Sequence, residues 1–272
     1  MSNDNGNNGN NNRSKGAAAS LLGAAHQQGK LSQRSMAALN VVDLGAQIQA
    51  GLGVDVDDVE SSEVVLVTMM PDDSSSIRFA GNARAVRDGH NLVLDALASC
   101  RQADDIFVHC RYLNGEVLYP YSGIDQAVRM DSGNYNPQQG TPLYDQTVVM
   151  LGTVMAKAEE FAHNGVPCRT VSLIITDGGD MHSTRAKASH VRAIVEDMQR
   201  AESHVVAAMG IDDGSTDFRR VFREMGIPDA WILTPGSTGS DIRTAFQVFS
   251  QSAIRVSQAA TLSQTALGGF AN

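Results

Sequence analysis

This sequence is short of positive charge. Its 272 residues carry 21 Lys and Arg against 30 Asp and Glu, a formal net charge of −9, with no basic block anywhere. A surface that must neutralise a row of phosphates has little to be built from, so nucleic acid and anionic membranes are poor partners. Long apolar runs are missing as well. The stretches VVLV at 64–67 and VSLII at 171–175 fall far short of the roughly 20 residues a membrane-spanning helix needs. No apolar segment follows Met1, where the chain reads MSNDNGNNGNNNRSKG, so export by a signal peptide is not expected. Cysteine is limited to Cys100, Cys110 and Cys168. An odd number with no CxxC spacing excludes a closed disulfide framework and a thiolate metal or redox motif, leaving buried free thiols as the expectation. Nucleotide and hydrolase signatures are also absent: there is no GxxxxGK[ST] loop, no GxGxxG after a strand and no GxSxG elbow. The expectation is a soluble, cytoplasmic protein.

What is present divides into four stretches. Residues 1–16 hold seven Asn and almost nothing apolar, too little to offset the entropy of ordering them, so they read as a disordered tail. Residues 17–61 are first rich in Ala, Gln and Leu, which suits weak helices, best over 32–49. They end in an acidic linker of Asp55, Asp57, Asp58, Glu60 and, just beyond, Glu63. That linker lacks the Gly and Glu spacing of an EF-hand loop and reads as solvated. Residues 62–258 form one regular domain, and 259–272 a loose tail.

Within the domain, short apolar runs at 64–69, 106–113, 170–176, 204–209 and 231–234 predict strands. Helices are expected over 77–99, from Pro142 onward, over 184–201 and 218–225, and in a last amphipathic segment carrying Ile242, Phe246 and Phe249 on one face. Asn114-Gly115 between 106–113 and 117–119 is a strong hairpin signal. Fully apolar strands alternating with amphipathic helices imply an α/β fold, doubly wound. Its mostly parallel six-stranded sheet would have helices on both faces and one antiparallel edge hairpin.

Three polar clusters fall where predicted strands end or helices begin: Asp72-Asp73-Ser74-Ser75-Ser76, Gly140-Thr141-Pro142, and Thr176-Asp177-Gly178-Gly179-Asp180. In the commonest six-strand order, 3-2-1-4-5-6, segments one and four are neighbours at the point where strand order reverses, and ligands gather there. Asp72 and Asp177 would then face each other. Two carboxylates that close, with no Lys or Arg in any of the three loops, call for a cation between them. Hydroxyls and carboxylates without sulfur or imidazole favour a hard ion, Mg²⁺ first and Mn²⁺ or Ca²⁺ next.

The Asp72-x-Ser74-x-Ser76 loop, Thr141 in Gly-Thr-Pro-Leu, and Asp177 in Thr-Asp-Gly together resemble the metal-ion-dependent adhesion site of the von Willebrand factor A domain family. The resemblance spans about residues 62–258. It implies that Ser74, Ser76 and Thr141 bind the metal directly, with Asp72 and Asp177 as further ligands or acting through water. It also implies one coordination position left open for an Asp or Glu of a protein partner. The rim of such a site would be Asp73, Ser75, Gly140, Gly178, Gly179 and Asp180. Two positions depart from the family's usual pattern, Pro71 where the apolar strand normally continues and Ser75 where Gly is frequent, but neither removes a ligand. Family members inside bacterial cells act as subunits or adaptors of larger assemblies, often beside AAA+ ATPases.

The expectation is therefore a non-enzymatic, metal-dependent adaptor. Two readings compete with it: a self-assembling component that docks residues 1–60 on a second copy, and a Mg²⁺-dependent phosphoryl-transfer enzyme using Asp72. The second normally wants another carboxylate where Ser74 stands. Asp180 and His182, just past the third loop, could form an acid/base pair but read more simply as surface residues.

Overall fold

The alternation of apolar runs and helices produces the sheet it predicts. A computed structural model describes residues 8–41, 45–259 and 268–270. Strands β1 (Val64–Pro71), β2 (Ile106–Arg111), β3 (Val117–Gly123), β4 (Cys168–Thr176), β5 (His204–Gly210) and β6 (Ile232–Leu233) lie in the order β3-β2-β1-β4-β5-β6. Only β3 is antiparallel to its neighbour. Among the described residues the helices are α1 (Asn8–Gln27), α2 (Gln33–Val41), α3 (Gly45–Leu52), α4 (Ser75–Phe79), α5 (Ala83–Ala98), α6 (Leu143–His163), α7 (Ala188–Arg200), α8 (Phe218–Glu224) and α9 (Gly239–Gln258). Both α6 and α9 pack on β1 and β4, and every residue of β1 and β5 is buried. Continuous apolar strands with no polar alternation are what a sheet covered on both faces requires. None of the described helices is long and apolar enough to cross a membrane.

The hairpin turns at Asn114-Gly115, with Gly115 at φ +97° and Tyr112 N–H donating to Glu116 O at 2.8 Å. Its second strand continues past Pro120 to Gly123, further than the sequence pattern indicated. A proline is compatible with this edge strand because its missing N–H lies where no further strand pairs.

The helix expected over 77–99 is two helices. Gly81 takes φ +77° between α4 and α5, a conformation only glycine adopts freely. Gly89 has a different role inside α5. A Cβ there would lie 2.0 Å from Phe246 Cδ2, so glycine lets α5 and α9 approach closely. Helix α7 starts at Ala188 rather than at 184 because the N–H groups of Thr184, Arg185 and Ala186 donate to the Asp145 carboxylate at 3.0, 3.2 and 2.6 Å.

The N-terminal stretch differs most from expectation. Helix α1 begins at Asn8, inside the segment read as a disordered tail; residues 1–7 lie outside the described residues. Once the docked Ala-rich turns are helical, adding residues at the end costs far less than nucleating a helix. The single helix expected over 32–49 is instead α2 and α3, and residues 42–44 lie outside the described residues. These helices belong to the same core as the sheet: Ala18, Leu22, Leu31, Leu39, Ile48 and Leu52 are buried in it. Glu159 of α6, 3% exposed, accepts from Gln28 Nε2 at 2.7 Å and Lys30 Nζ at 2.6 Å. Asp197 of α7 accepts from Ser32 N and Ser35 Oγ, both at 2.5 Å. Covered by α1, α3 and α7 as well as by the sheet, α6 buries 16 of its 21 residues.

Of the C-terminal tail beyond Ala259, Gly268–Phe270 is described and is docked. Phe270 meets Trp231 edge to face at 5.2 Å, and its N–H donates to Ala230 O at 2.8 Å. Cys110 is buried, Cys100 and Cys168 are half-buried, and all three thiols are free.

Candidate metal centre

The three polar clusters converge at the carboxyl ends of β1 and β4. These strands stay paired to their last residues, Pro71 opposite Ile175, and Asp72 N–H extends the ladder to Ile175 O at 2.9 Å. Pro71 therefore does not bend the strand end away from β4. Asp72 is fully buried. Its Oδ1 accepts from Ser74 N at 2.7 Å and its Oδ2 from Thr176 Oγ1 at 2.6 Å, while Tyr135 O–H donates to its carbonyl. With Asp72 held in this way, the next turn presents two hydroxyls: Ser74 Oγ lies 2.8 Å from Ser76 Oγ, and Ser76 Oγ donates to Asp177 Oδ1 at 2.6 Å.

Thr141 enters from the loop before α6. Its carbonyl accepts from Met181 N at 3.1 Å and His182 N at 3.2 Å, and its own N–H donates to His182 Nδ1 at 2.8 Å. Thr141 is 7% exposed, and its hydroxyl makes no hydrogen bond with any described residue. The same loop is tied to the first cluster, since Gln138 N and Gln139 N donate to Asp73 O at 2.9 and 3.0 Å and Ser75 N donates to Gln139 O at 3.1 Å.

The rim residues have structural partners of their own. Asp73 Oδ1 accepts from Asn114 N at 3.0 Å. Asp180 Oδ1 accepts from Tyr144 N at 3.2 Å and Ser183 Oγ at 2.5 Å, which satisfies a free N–H in the first turn of α6. Gly140 sits so close to His182 that a Cβ would come 2.8 Å from its Nδ1. Gly178 N–H donates to Thr176 Oγ1 at 3.1 Å, and Gly179 beside it is half-buried with open space where a Cβ would lie.

Three buried carboxylates in one place are electrostatically unbalanced. Burial pushes the carboxyl of Asp73 up to about 7 and that of Asp177 up to about 6. Asp72 is raised as well, burial outweighing the donors Ser74 and Thr176. None of the three makes an ion pair with a described residue. A divalent cation fits this donor set. Oxygens that share an octahedral ion at about 2.0–2.1 Å stand about 3 Å apart when adjacent, and the Ser74–Ser76 and Ser76–Asp177 separations of 2.8 and 2.6 Å are close to that spacing. Among the described residues no three or more His, Cys, Asp or Glu side chains cluster in a way that could hold a metal. Hydroxyls would therefore supply most of the ligands, which points to a hard ion.

Sequence reasoning assigned no supporting role to four residues that have one. Thr176 and Tyr135 orient Asp72, Asn114 fixes Asp73, and His182, set aside as a surface residue, braces Thr141. Thr176 could have been found from its place beside Asp177. Tyr135 and Asn114 arrive from the 132–140 loop and the hairpin turn, and no spacing in the sequence connects them to Asp72.

No family model matches this sequence, and comparison with curated proteins gives no match. Among solved structures, the chain is similar to the pilus adhesin SpaC from Lactobacillus rhamnosus GG in its open conformation, with a TM-score of 0.50 and 14% identity over 72% of this chain and 30% of the adhesin. The fold is that of a von Willebrand factor A-like domain. Two further structures align less closely with this chain. One is proximal thread matrix protein 1 from the mussel byssus, solved with a zinc-occupied MIDAS motif (TM-score 0.46, 15% identity, 71% of this chain and 46% of that one). The other is the SpRpn10 VWA domain (TM-score 0.46, 8% identity, 70% and 95%). The chain thus spans about a third of the adhesin and about half of the thread protein.

Proposed function

We propose that this chain is a metal-dependent protein-binding module that holds a divalent cation, Mg²⁺ in the first place, on Ser74, Ser76 and Thr141 with Asp72 and Asp177. An Asp or Glu of a protein partner would complete the coordination. The observation that carries this reading is the pair of buried carboxylates, Asp72 and Asp177, beside the hydroxyls of Ser74 and Ser76, with no cationic side chain paired to either among the described residues. The bound ion would supply positive charge to an otherwise negative crevice and make an exposed carboxylate a strong anchor. The residues around it do the rest: Thr176 and Tyr135 hold Asp72, and His182 holds the Thr141 backbone.

A protein partner, rather than a small solute, is favoured by the rim. Phe79 and Met181 are 79% and 76% exposed, two of the three large apolar side chains that stand out among the described residues. Phe79 ends the short helix that starts at Ser75, and Met181 follows Asp180. Apolar side chains beside an ion site give a macromolecular partner something to bury.

Self-assembly through residues 1–60 has less support, because Ala18, Leu22, Ala25, Leu39, Ile48 and Leu52 of α1–α3 are already buried in the core of the same chain, where these helices pack on α6 and α7. Phosphoryl transfer lacks a cationic side chain paired with Asp72, Asp73 or Asp177 among the described residues.

The test is capture of proteins from a native lysate by the full chain, in Mg²⁺ and in chelator, beside a folded Thr141→Ala variant. The expected result is a partner retained in Mg²⁺ and lost under both other conditions. Undiminished capture in chelator and by the variant overturns the reading.

A further inference from the structure

A cavity of about 420 Å³ opens beside the metal centre, between the β2–β3 turn and the loop that leads to Thr141. Its size falls within the about 300–1,000 Å³ typical of ligand sites. Asp73 and Glu116 line it, together with Tyr112, Tyr135, Asn136 and Gln139, and among the described residues no Lys, Arg or His does. Asp73 is only 4% exposed. One of its oxygens is held by Asn114 N–H, and the other accepts nothing from any other described residue. The rings of Tyr112 and Tyr135 stand 5.5 Å apart, with their hydroxyls turned to the backbone carbonyls of Asn134 and Asp72.

We propose that this cavity is a second recognition subsite that takes a cationic side chain, Lys or Arg, of the protein partner. Two carboxylates of unlike burial with aromatic walls suit a guanidinium or ammonium group and disfavour an anion. The Asp73 carboxylate offers an acceptor on the cavity wall, and the exposed Glu116 would attract the cation before it enters. Asp73 lines this cavity and is followed directly in the chain by Ser74, so one partner segment can reach both places. The partner would then be recognised by a mixed pair, a carboxylate at the ion and a cation beside it, rather than by acidity alone. That coupling rests on the metal-binding reading; the cation subsite does not.

The full chain, labelled with ¹⁵N, would be titrated with N-acetyl-arginine methylamide, which has one guanidinium and no carboxylate, and with N-acetyl-norleucine methylamide as the apolar control. The expected result is saturable shift changes at Asn114, Gly133 and Asn136 with the arginine probe only. Glu116→Gln should weaken them by about threefold or more, as for loss of one partly exposed ion pair, and Asp73→Asn should weaken them further. No saturable change, an equal response to the norleucine probe, or a response untouched by either substitution overturns the proposal. The melting temperature of the same sample with and without Mg²⁺ separates the two readings. If the arginine probe binds and Mg²⁺ does nothing, the metal reading has failed and the cation subsite stands; the reverse result removes only the subsite.

Discussion

Ser76 Oγ donates to Asp177 Oδ1 at 2.6 Å across 101 residues of chain. The contact joins the first helical turn after β1 to the residue that follows β4, two strands that are neighbours only because the sheet order reverses between them. Ser76 is itself exposed, so it can be changed with little disturbance to the core.

Removing that hydroxyl should uncouple metal binding from folding. Metal at about 100 times its dissociation constant stabilises the native state by about 2.7 kcal/mol. We expect Mg²⁺ to raise the melting temperature of the native chain and to have little effect on Ser76→Ala, whose metal-free melting temperature stays close to that of the parent. An equal Mg²⁺ shift in both proteins, measured by calorimetry, would count against Ser76 as a ligand.

Proton and metal should compete. A carboxyl raised to about 6 or 7 in the folded state holds its proton in conditions where the unfolded chain has lost it. In the metal-free protein each such group therefore adds stability that is complete below the ordinary carboxylate range and is lost as pH rises through 6–7. Mg²⁺ acts on the ionised forms, so its stabilising effect should grow between pH 5 and pH 8. Asp73→Asn removes one of these groups, and the metal-free variant should gain on the parent over the same range by on the order of 2–4 kcal/mol. Urea midpoints at several pH values in chelator would show this, and a stability difference that is flat with pH would refute it.

Gly89 should not tolerate a methyl group. With Phe246 Cδ2 2.0 Å from where the Cβ would lie, Gly89→Ala has to separate α5 from α9. We expect a loss of about 1–3 kcal/mol, against the gain of up to about 1 kcal/mol that the same change brings inside an unconstrained helix. Urea unfolding reads the sign directly.

The N-terminal helices should behave as part of the domain. Asp197 is 2% exposed and serves Ser32 and Ser35 from α7. Asp197→Ala should lower stability by roughly 1–3 kcal/mol through the donors it leaves unpaired. A chain beginning at Ser61 should expose the buried face of α6 and associate in light scattering. A monomeric, equally stable shortened chain would show that the extension is dispensable.

Much of this protein could be read along the chain. Strands β1 and β5 are short and almost wholly apolar, as covered parallel strands are, and the Asn114-Gly115 turn marks β3, so the class of sheet follows from local pattern, while its order is that of the commonest six-strand arrangement. Leu143, Thr147, Met150, Leu151, Val154, Ala158 and Phe161 show their helical spacing in the sequence and are all buried in α6. Asp72, Ser74 and Ser76 could be found from their spacing after the first strand, although Ser76 lies in the first turn of α4 and not in an extended turn. The two features that were misjudged concern surfaces meeting at a distance. The 1–16 stretch read as a disordered tail and 32–49 as a single helix, whereas α1 begins at Asn8 and α1–α3 are separate helices packed on α6 and α7.

The sequence by itself determined the class of fold, the three loops and the kind of atom each one offers, because these depend on periodicity and side-chain chemistry within a few residues. Only the tertiary structure decided that Asp72 turns its second oxygen to Thr176, that His182 holds Thr141, that Asp73 forms the wall of a cavity, and that Ala18, Leu22, Leu39, Ile48 and Leu52 belong to the core. Such matters depend on contacts between residues tens to more than a hundred positions apart. No local pattern encodes them, since their energy comes from burial and from pairing polar groups that meet only when the chain is compact.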